Sequence, residues 1–224
     1  MDWSEELDVH GRVWFRGLLR PEEARRFGRL CNVGERPGVR LDPTAELAEF
    51  IGPASTLSRV ATTLGVDPEP VRLTAFNKTA ESNWGVPWHQ DRVIAVAQRQ
   101  DVAGYSNWSQ RQGGWHCEPP AGLLKGMLFA RVHFDPCGED NGAMELALGS
   151  HRHGLVDAAE ARAIAETCQR EVCNAAVGDI LFVKALTLHR SLSSRSEAPR
   201  RALRIDFARR VDLDGRLQWA IVAD

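Results

Sequence analysis

Apolar and polar positions alternate along the chain in a way that separates a helical front from a β-rich remainder. Gly11 to Leu19 (GRVWFRGLL) reads as a short strand, with Val13 and Phe15 on one face and Trp14 on the other, since successive strand side chains point to opposite faces. Pro21 then opens a helix running to Leu30, acidic early at Glu22 and Glu23 and basic later, which suits the helix dipole. Residues 32 to 43 carry Gly and Pro and read as a loop. Residues 44 to 64 support helical pieces broken at Gly52-Pro53, whose Leu47, Phe50, Ile51, Leu57, Val60 and Leu64 are expected to pack on a sheet.

From Val71 the period shortens to two. Val71 to Lys78 sets Leu73, Ala75 and Asn77 on one side and Arg72, Thr74, Phe76 and Lys78 on the other. Val93 to Ala97 reads as the continuation of a strand that carries His89 and Asp91. Residues 98 to 120 form a polar excursion with Gly, Trp108 and Trp115; such an insertion is expected either to be a lid or substrate loop or to pack its tryptophans down on the surface. Leu124 to Phe134 is a strong strand, with Leu128, Ala130, Val132 and Phe134 on one face and Met127, Phe129, Arg131 and His133 on the other. Asn141-Gly142 gives a tight-hairpin signal ahead of a strand over Ala143 to Leu148. A helix is expected over Asp157 to Glu166, then short strands over Glu171 to Asn174, Asp179 to Lys184, Arg201 to Ala208 and Gln218 to Val222. The pattern predicts a mainly β fold with flanking helices, a jelly-roll (double-stranded β-helix, cupin-like) barrel, as one domain over residues 1–224.

Composition agrees with one domain: 224 residues, 43% hydrophobic, are enough for one core. With 28 Lys+Arg against 30 Asp+Glu the net charge is -2, so no global field favours nucleic acid as a partner. The acidic start lacks the pattern of a secretory signal, and no apolar run is long enough for a bilayer, so no membrane partner and a cytoplasmic location are expected. Cys31, Cys117, Cys137, Cys168 and Cys173 are odd in number and irregularly spaced, which reads as reduced, packed thiols.

Chemistry concentrates at Pro87-Trp88-His89-Gln90-Asp91. On a strand, His89 and Asp91 share a face and can grip one metal ion, and a further histidine would complete a two-His, one-carboxylate face suited to non-haem Fe(II) and oxygen. Of the other histidines, His10 precedes the first strand, His151 and His153 flank Arg152, His116 lies in the excursion and His133 shares a face with Arg131. His189 remains, at the end of an apolar strand where it opens into a Ser-rich loop. Beyond it, Arg200, Ala202 and Arg204 share one strand face, and a guanidinium turned into a barrel requires an anion, best a planar carboxylate.

These residues, with the opening Val-Trp-Phe-Arg-Gly-Leu-Leu-Arg-Pro-Glu-Glu, the block from Asn141-Gly-Ala-Met through Gly149-Ser-His-Arg, and Gly178-Asp179 ahead of the strand to His189, resemble the phytanoyl-CoA dioxygenase family of Fe(II)- and 2-oxoglutarate-dependent oxygenases. The likeness spans nearly the whole chain. It implies that His89, Asp91 and His189 bind Fe(II) and that Arg200 holds the distal carboxylate of 2-oxoglutarate, with Lys78, Thr187 or Ser191 as further cosubstrate contacts. Gln90, Trp115, Arg131 and Lys184 are candidates for the substrate pocket. The implied reaction uses O₂ and 2-oxoglutarate to hydroxylate a C–H bond of a small molecule, releasing succinate and CO₂. Asp91 favours hydroxylation over halogenation, because halogenating relatives replace that carboxylate with a small residue. A zinc hydrolase or lyase, or a catalytically silent binding protein on the same barrel, is the alternative. The chain is short for the family and carries Arg190 where a small residue is common, so the substrate is expected to differ from an acyl-CoA.

Overall fold

The chain's structure is a computed structural model that describes residues 2–34, 36, 38–79, 83–111, 114–198 and 200–221. Val222 of the last expected strand, Pro199 before Arg200, and residues 35, 37, 112 and 113 of the two expected loops lie outside the described residues. In chain order the elements begin with α1 (Trp3–His10), β1 (Arg12–Phe15), α2 (Pro21–Leu30), β2 (Val39–Arg40), α3 (Ala45–Ile51), α4 (Thr56–Thr63) and β3 (Pro70–Lys78). There follow β4 (Val86–His89), β5 (Ile94–Val96), β6 (Ser106–Arg111), β7 (Gly114–Glu118), α5 (Ala121–Lys125), β8 (Leu128–His133) and β9 (Met144–Ala147). The chain closes with α6 (Ala161–Thr167), β10 (Arg170–Val172), β11 (Ile180–Lys184), β12 (His189–Ser191) and β13 (Arg200–Phe207).

Among the described residues these strands make an antiparallel six-stranded sheet, β1-β11-β8-β13-β3-β2, a four-stranded sheet, β10-β9-β12-β4, and a small sheet, β5-β7-β6. Strand alternation then sorts the core. One face of the six-stranded sheet, with Leu73, Ala75, Leu128, Ala130, Val132, Leu203 and Ile205, packs on Ala24, Phe27, Leu47, Phe50 and Leu57 of the helices. The other face meets the four-stranded sheet through Phe129, Leu181 and Val183 against Met144, Leu146 and Leu148. Behind the four-stranded sheet, Trp88, Ala147 and Leu188 pack on Ala161 and Ala165 of α6. This is the expected double-stranded β-helix with flanking helices, which pack on the outer faces of both main sheets; the two sheets face each other and are not closed into a continuous barrel.

Several local expectations change. Sequence reading offers nothing before Gly11, yet α1 forms there, with Asp2 Oδ1 accepting from Glu5 N at 2.8 Å and Gly11 ending the helix at φ 75. Within residues 98–120, β7 pairs with both β6 and β5, and Tyr105, Trp108 and Trp115 pack on Val71, Ile94 and Leu124. The expected strand from Leu124 splits into α5 and β8, because Pro120 starts a helical turn and Gly126 ends it. Of the strand expected over Gln218 to Val222, the described residues 218–221 form only an isolated bridge, Trp219 to Val96. Asn141-Gly142 does not close a hairpin, since β8 and β9 lie in different sheets; a 3-10 turn over Glu139–Asn141 and Gly142 at φ 71 carry the chain across.

Candidate metal and cosubstrate site

The site lies between the two main sheets. His89 ends β4 and His189 begins β12, and the two are direct cross-strand partners, which sets their rings 4.2 Å apart between centroids. Asp91 lies just beyond β4, pinned by its backbone N–H donating to Ala185 O at 3.1 Å. Gln90 between them turns the other way. Its amide donates to Gly154 O and Leu186 O at 2.7 and 2.8 Å and accepts from Val156 N at 2.9 Å. That triple anchoring keeps His89 and Asp91 on one side, and it removes Gln90 from the substrate pocket.

Ligand atoms of His89, Asp91 and His189 all lie within 4.8 Å of one another. His189 Nε2 is 3.3 Å from Asp91 Oδ2. Each histidine Nδ1–H donates to a main-chain carbonyl, that of Pro87 at 2.8 Å for His89 and that of Thr187 at 2.9 Å for His189. These bonds fix the tautomer that leaves Nε2 as a lone-pair donor for a metal. Two imidazole nitrogens and one carboxylate on a single face fit non-haem iron with open positions opposite.

Charge around the triad is supplied by β13. Arg204 donates from Nη1 to Asp91 Oδ2 at 2.7 Å and from Nε to Asp206 Oδ1 at 2.8 Å, while Arg72 donates to Asp206 Oδ2 at 2.6 Å. Burial alone would raise the Asp91 pKa, but Arg204 and then His189 hold the carboxyl well below the usual range. Burial pushes His189 down to about 4, against the pull of Asp91, so its imidazole is neutral at pH 7 as metal ligation requires. Arg204 had been visible only as a neighbour of Arg200 on one strand face. Its role needs the fold, because its partner Asp91 lies just beyond β4, a strand of the other main sheet.

A cavity of about 190 Å³ opens over the triad, lined by both sheets, including Phe76, Trp84, Val86, Phe129 and Met144, with Arg131, Arg190, Ser191, Arg200 and Arg204 as its polar groups. Arg200, Ser191 and Arg131, three of the residues singled out from the sequence, thus line one cavity with the triad. Lys78 is almost wholly buried beside this cavity, donating to Trp84 O at 2.7 Å and Leu192 O at 2.8 Å, and burial, then Arg200 and Arg131, pull its ammonium down to about 8. Lys78 thus ties the segments of Trp84 and Leu192 to the end of β3.

Other expectations move away from the cavity. Thr187 Oγ1 donates to Gly11 O at 3.1 Å, on the α1 side of the sheet. Trp115 belongs to the small sheet and packs on the Val71–Ile94 cluster. Lys184 pairs with Asp8 at 2.5 Å and lines a separate basic hollow with Lys125, His151 and Arg152. Phe76 and Phe129 were assigned to the correct strand faces, but Trp84, Val86 and Met144 carried no chemical signal that would single them out.

No match was found among curated protein sequences. Solved structures share the fold at low identity. The epimerase SnoN in complex with Fe3+, alpha ketoglutarate and nogalamycin RO is 16% identical with a TM-score of 0.66, covering 92% of this chain and 82% of its own. EctD from S. alaskensis is 13% identical with a TM-score of 0.65, covering 99% and 80%. HygX from Streptomyces hygroscopicus, with nickel, 2-oxoglutarate and hygromycin B bound, is 13% identical with a TM-score of 0.61, covering 93% and 86%. A family model, phytanoyl-CoA dioxygenase (PhyH), matches residues 35–202. That span contains the His89–Asp91–His189 triad and Arg200, and the chain belongs to the phytanoyl-CoA dioxygenase (PhyH) family of non-haem iron, 2-oxoglutarate-dependent oxygenases.

Proposed function

We propose that this oxygenase hydroxylates a C–H bond of a small molecule, converting 2-oxoglutarate and O₂ to succinate and CO₂. The observation that carries the reading is the convergence of His89, Asp91 and His189 in one cavity that also holds four arginines among apolar side chains. In the structural relatives, SnoN holds nogalamycin RO and HygX holds hygromycin B, which supports a small molecule as substrate here.

His89 Nε2, His189 Nε2 and the Asp91 carboxylate would hold Fe(II), whose bound chemistry is the activation of O₂ at the expense of the 2-oxo acid. Arg200 would anchor the distal carboxylate of 2-oxoglutarate, and Ser191, which lines the cavity from the other sheet, would add a hydroxyl contact. Phe76, Trp84, Val86 and Met144 limit water at the reacting C–H bond and orient the apolar part of the substrate. Asp91 supports hydroxylation over halogenation, since it keeps the carboxylate that halogenation would require to be absent.

With Fe(II), 2-oxoglutarate and air, the wild-type protein is expected to form succinate, and His89→Ala or Asp91→Ala to abolish it. Undiminished succinate formation by either variant would remove the assignment. Succinate formed above background when small molecules are added one at a time identifies the substrate.

A further inference from the structure

Four arginines line the cavity, and only two have carboxylate partners: Arg190 pairs with Glu145 at 2.6 Å and Arg204 with Asp91 at 2.7 Å. Arg131 and Arg200 have none among the described residues. The Nε atom of each is buried without a hydrogen-bond partner. Arg200 Nη1 reaches the Cys137 thiol at 3.6 Å, and the Arg131 guanidinium carbon lies 5.3 Å from the Phe76 ring centroid. Both side chains belong to residues more than nine-tenths buried, at 9% and 3% exposure. A buried guanidinium left unpaired is expensive, and two that share one cavity are more so, which marks the place as built for an anion.

Strand register shows where the anion would sit. Arg131 on β8 is opposite Arg204 of β13, whereas Phe76 on β3 is opposite Ala202. The Arg131 side chain, whose head group meets the Phe76 ring, therefore leans toward Ala202, the small residue between Arg200 and Arg204 on that face. Its head group is thereby turned toward Arg200 and away from the strand neighbour it started beside. Burial first, and the Arg200 charge next, pull the Arg131 guanidinium down to about 10, with Arg204 a weaker influence. Like charges lean together in a dry site when one anion is meant to lie between them.

We propose that Arg131 and Arg200 together seat one carboxylate, the distal carboxylate of 2-oxoglutarate, so that Arg131 is a second recognition residue for the cosubstrate. This rests on the functional reading above, and it takes Arg131 out of the substrate pocket. Two guanidiniums on one carboxylate make the site selective for a 2-oxo diacid over a 2-oxo monoacid of the same length, which offers them nothing to bind.

The test is calorimetric titration of the Mn(II)-loaded protein with 2-oxoglutarate and, separately, with 2-oxopentanoate. The wild type is expected to bind the diacid and to discriminate strongly against the monoacid. Arg131→Met should weaken 2-oxoglutarate at least tenfold while leaving 2-oxopentanoate and Mn(II) affinity unchanged. Arg131→Lys, which keeps the charge and loses the fork, should fall between and serves alone if the methionine variant does not fold. Wild-type affinity for 2-oxoglutarate in the folded variants would overturn the proposal. So would an equal loss of both acids and of Mn(II), which would make Arg131 structural. A wild type that binds no 2-oxoglutarate would instead defeat the functional reading itself.

Discussion

The residue with most influence on the site's charge is Arg204, which touches the Asp91 carboxylate on one side and Asp206 on the other. All three are largely buried, so each charge is tolerated only because its partner is present. Arg204→Met keeps the volume and removes the charge, leaving Asp91 with its histidines and Asp206 with Arg72. The unfolding free energy of the metal-free protein should drop by about 3–5 kcal/mol, the usual cost of breaking a buried pair from one side. Arg204→Lys should recover part of this, because it restores the charge without the two-sided fork. Urea denaturation of the three proteins measures the difference, and a methionine variant as stable as the wild type would show that Arg204 contributes no net stability.

Among the elements, the crossing from β8 to β9 matters most, since it joins the sheet bearing Arg131 to the sheet bearing the histidines. Gly142 makes that crossing at φ 71, and a Cβ there would meet Leu192 O at 2.6 Å and Lys78 Nζ at 2.8 Å. Gly142→Ala should therefore cost at least the ~1–2 kcal/mol of a left-handed non-glycine residue. It should also displace the Leu192 segment held by Lys78. An unchanged urea midpoint would contradict this. The same turn shows what a sequence can carry. Asn141-Gly142 announces a tight turn correctly, but whether the next strand pairs with the last one depends on partners far along the chain. Local information was enough for α2, whose Pro21–Leu30 span and charge order are written in consecutive residues, and for the two faces of β8. The metal face was legible too, because His89 and Asp91 are two apart, although His189 opens β12 of the four-stranded sheet and does not end the apolar strand β11, which lies in the other sheet. Gln90, Thr187, Trp115 and Lys184 were misplaced for a common reason: residue type states what a side chain can do, and direction depends on which neighbours claim it. Gln90 is claimed by three main-chain groups and Thr187 by Gly11, neither of which is adjacent in sequence.

For the whole molecule, burying histidines in the neutral form sets the acid side of its stability. His133 lies between the main sheets at 1% exposure, and burial, then Arg131, depresses its pKa to about 3. His116, in the small sheet at 6% exposure, is pushed to about 4 by burial and then by Arg40. In the unfolded chain both take up a proton near pH ~6.5. The sign follows directly: between ~6.5 and the folded values the unfolded state binds more protons, so stability is present at neutral pH and falls as pH drops through that window. Each such histidine contributes a slope of up to ~1.4 kcal/mol per pH unit. Carboxylates held low, such as Asp179 with Arg16, lose their contribution only below the unfolded carboxylate value near ~3.9, so the stretch from pH ~6 to ~5 belongs to the histidines. Unfolding free energies measured in urea across that range should therefore fall toward acid. In His133→Asn the slope should be smaller by about one proton, whatever the substitution costs at pH 7, because slope counts protons and not packing. Equal slopes in the two proteins would mean that His133 titrates in the folded state, and the dry interface between the sheets inferred around Arg131 would have to be wet.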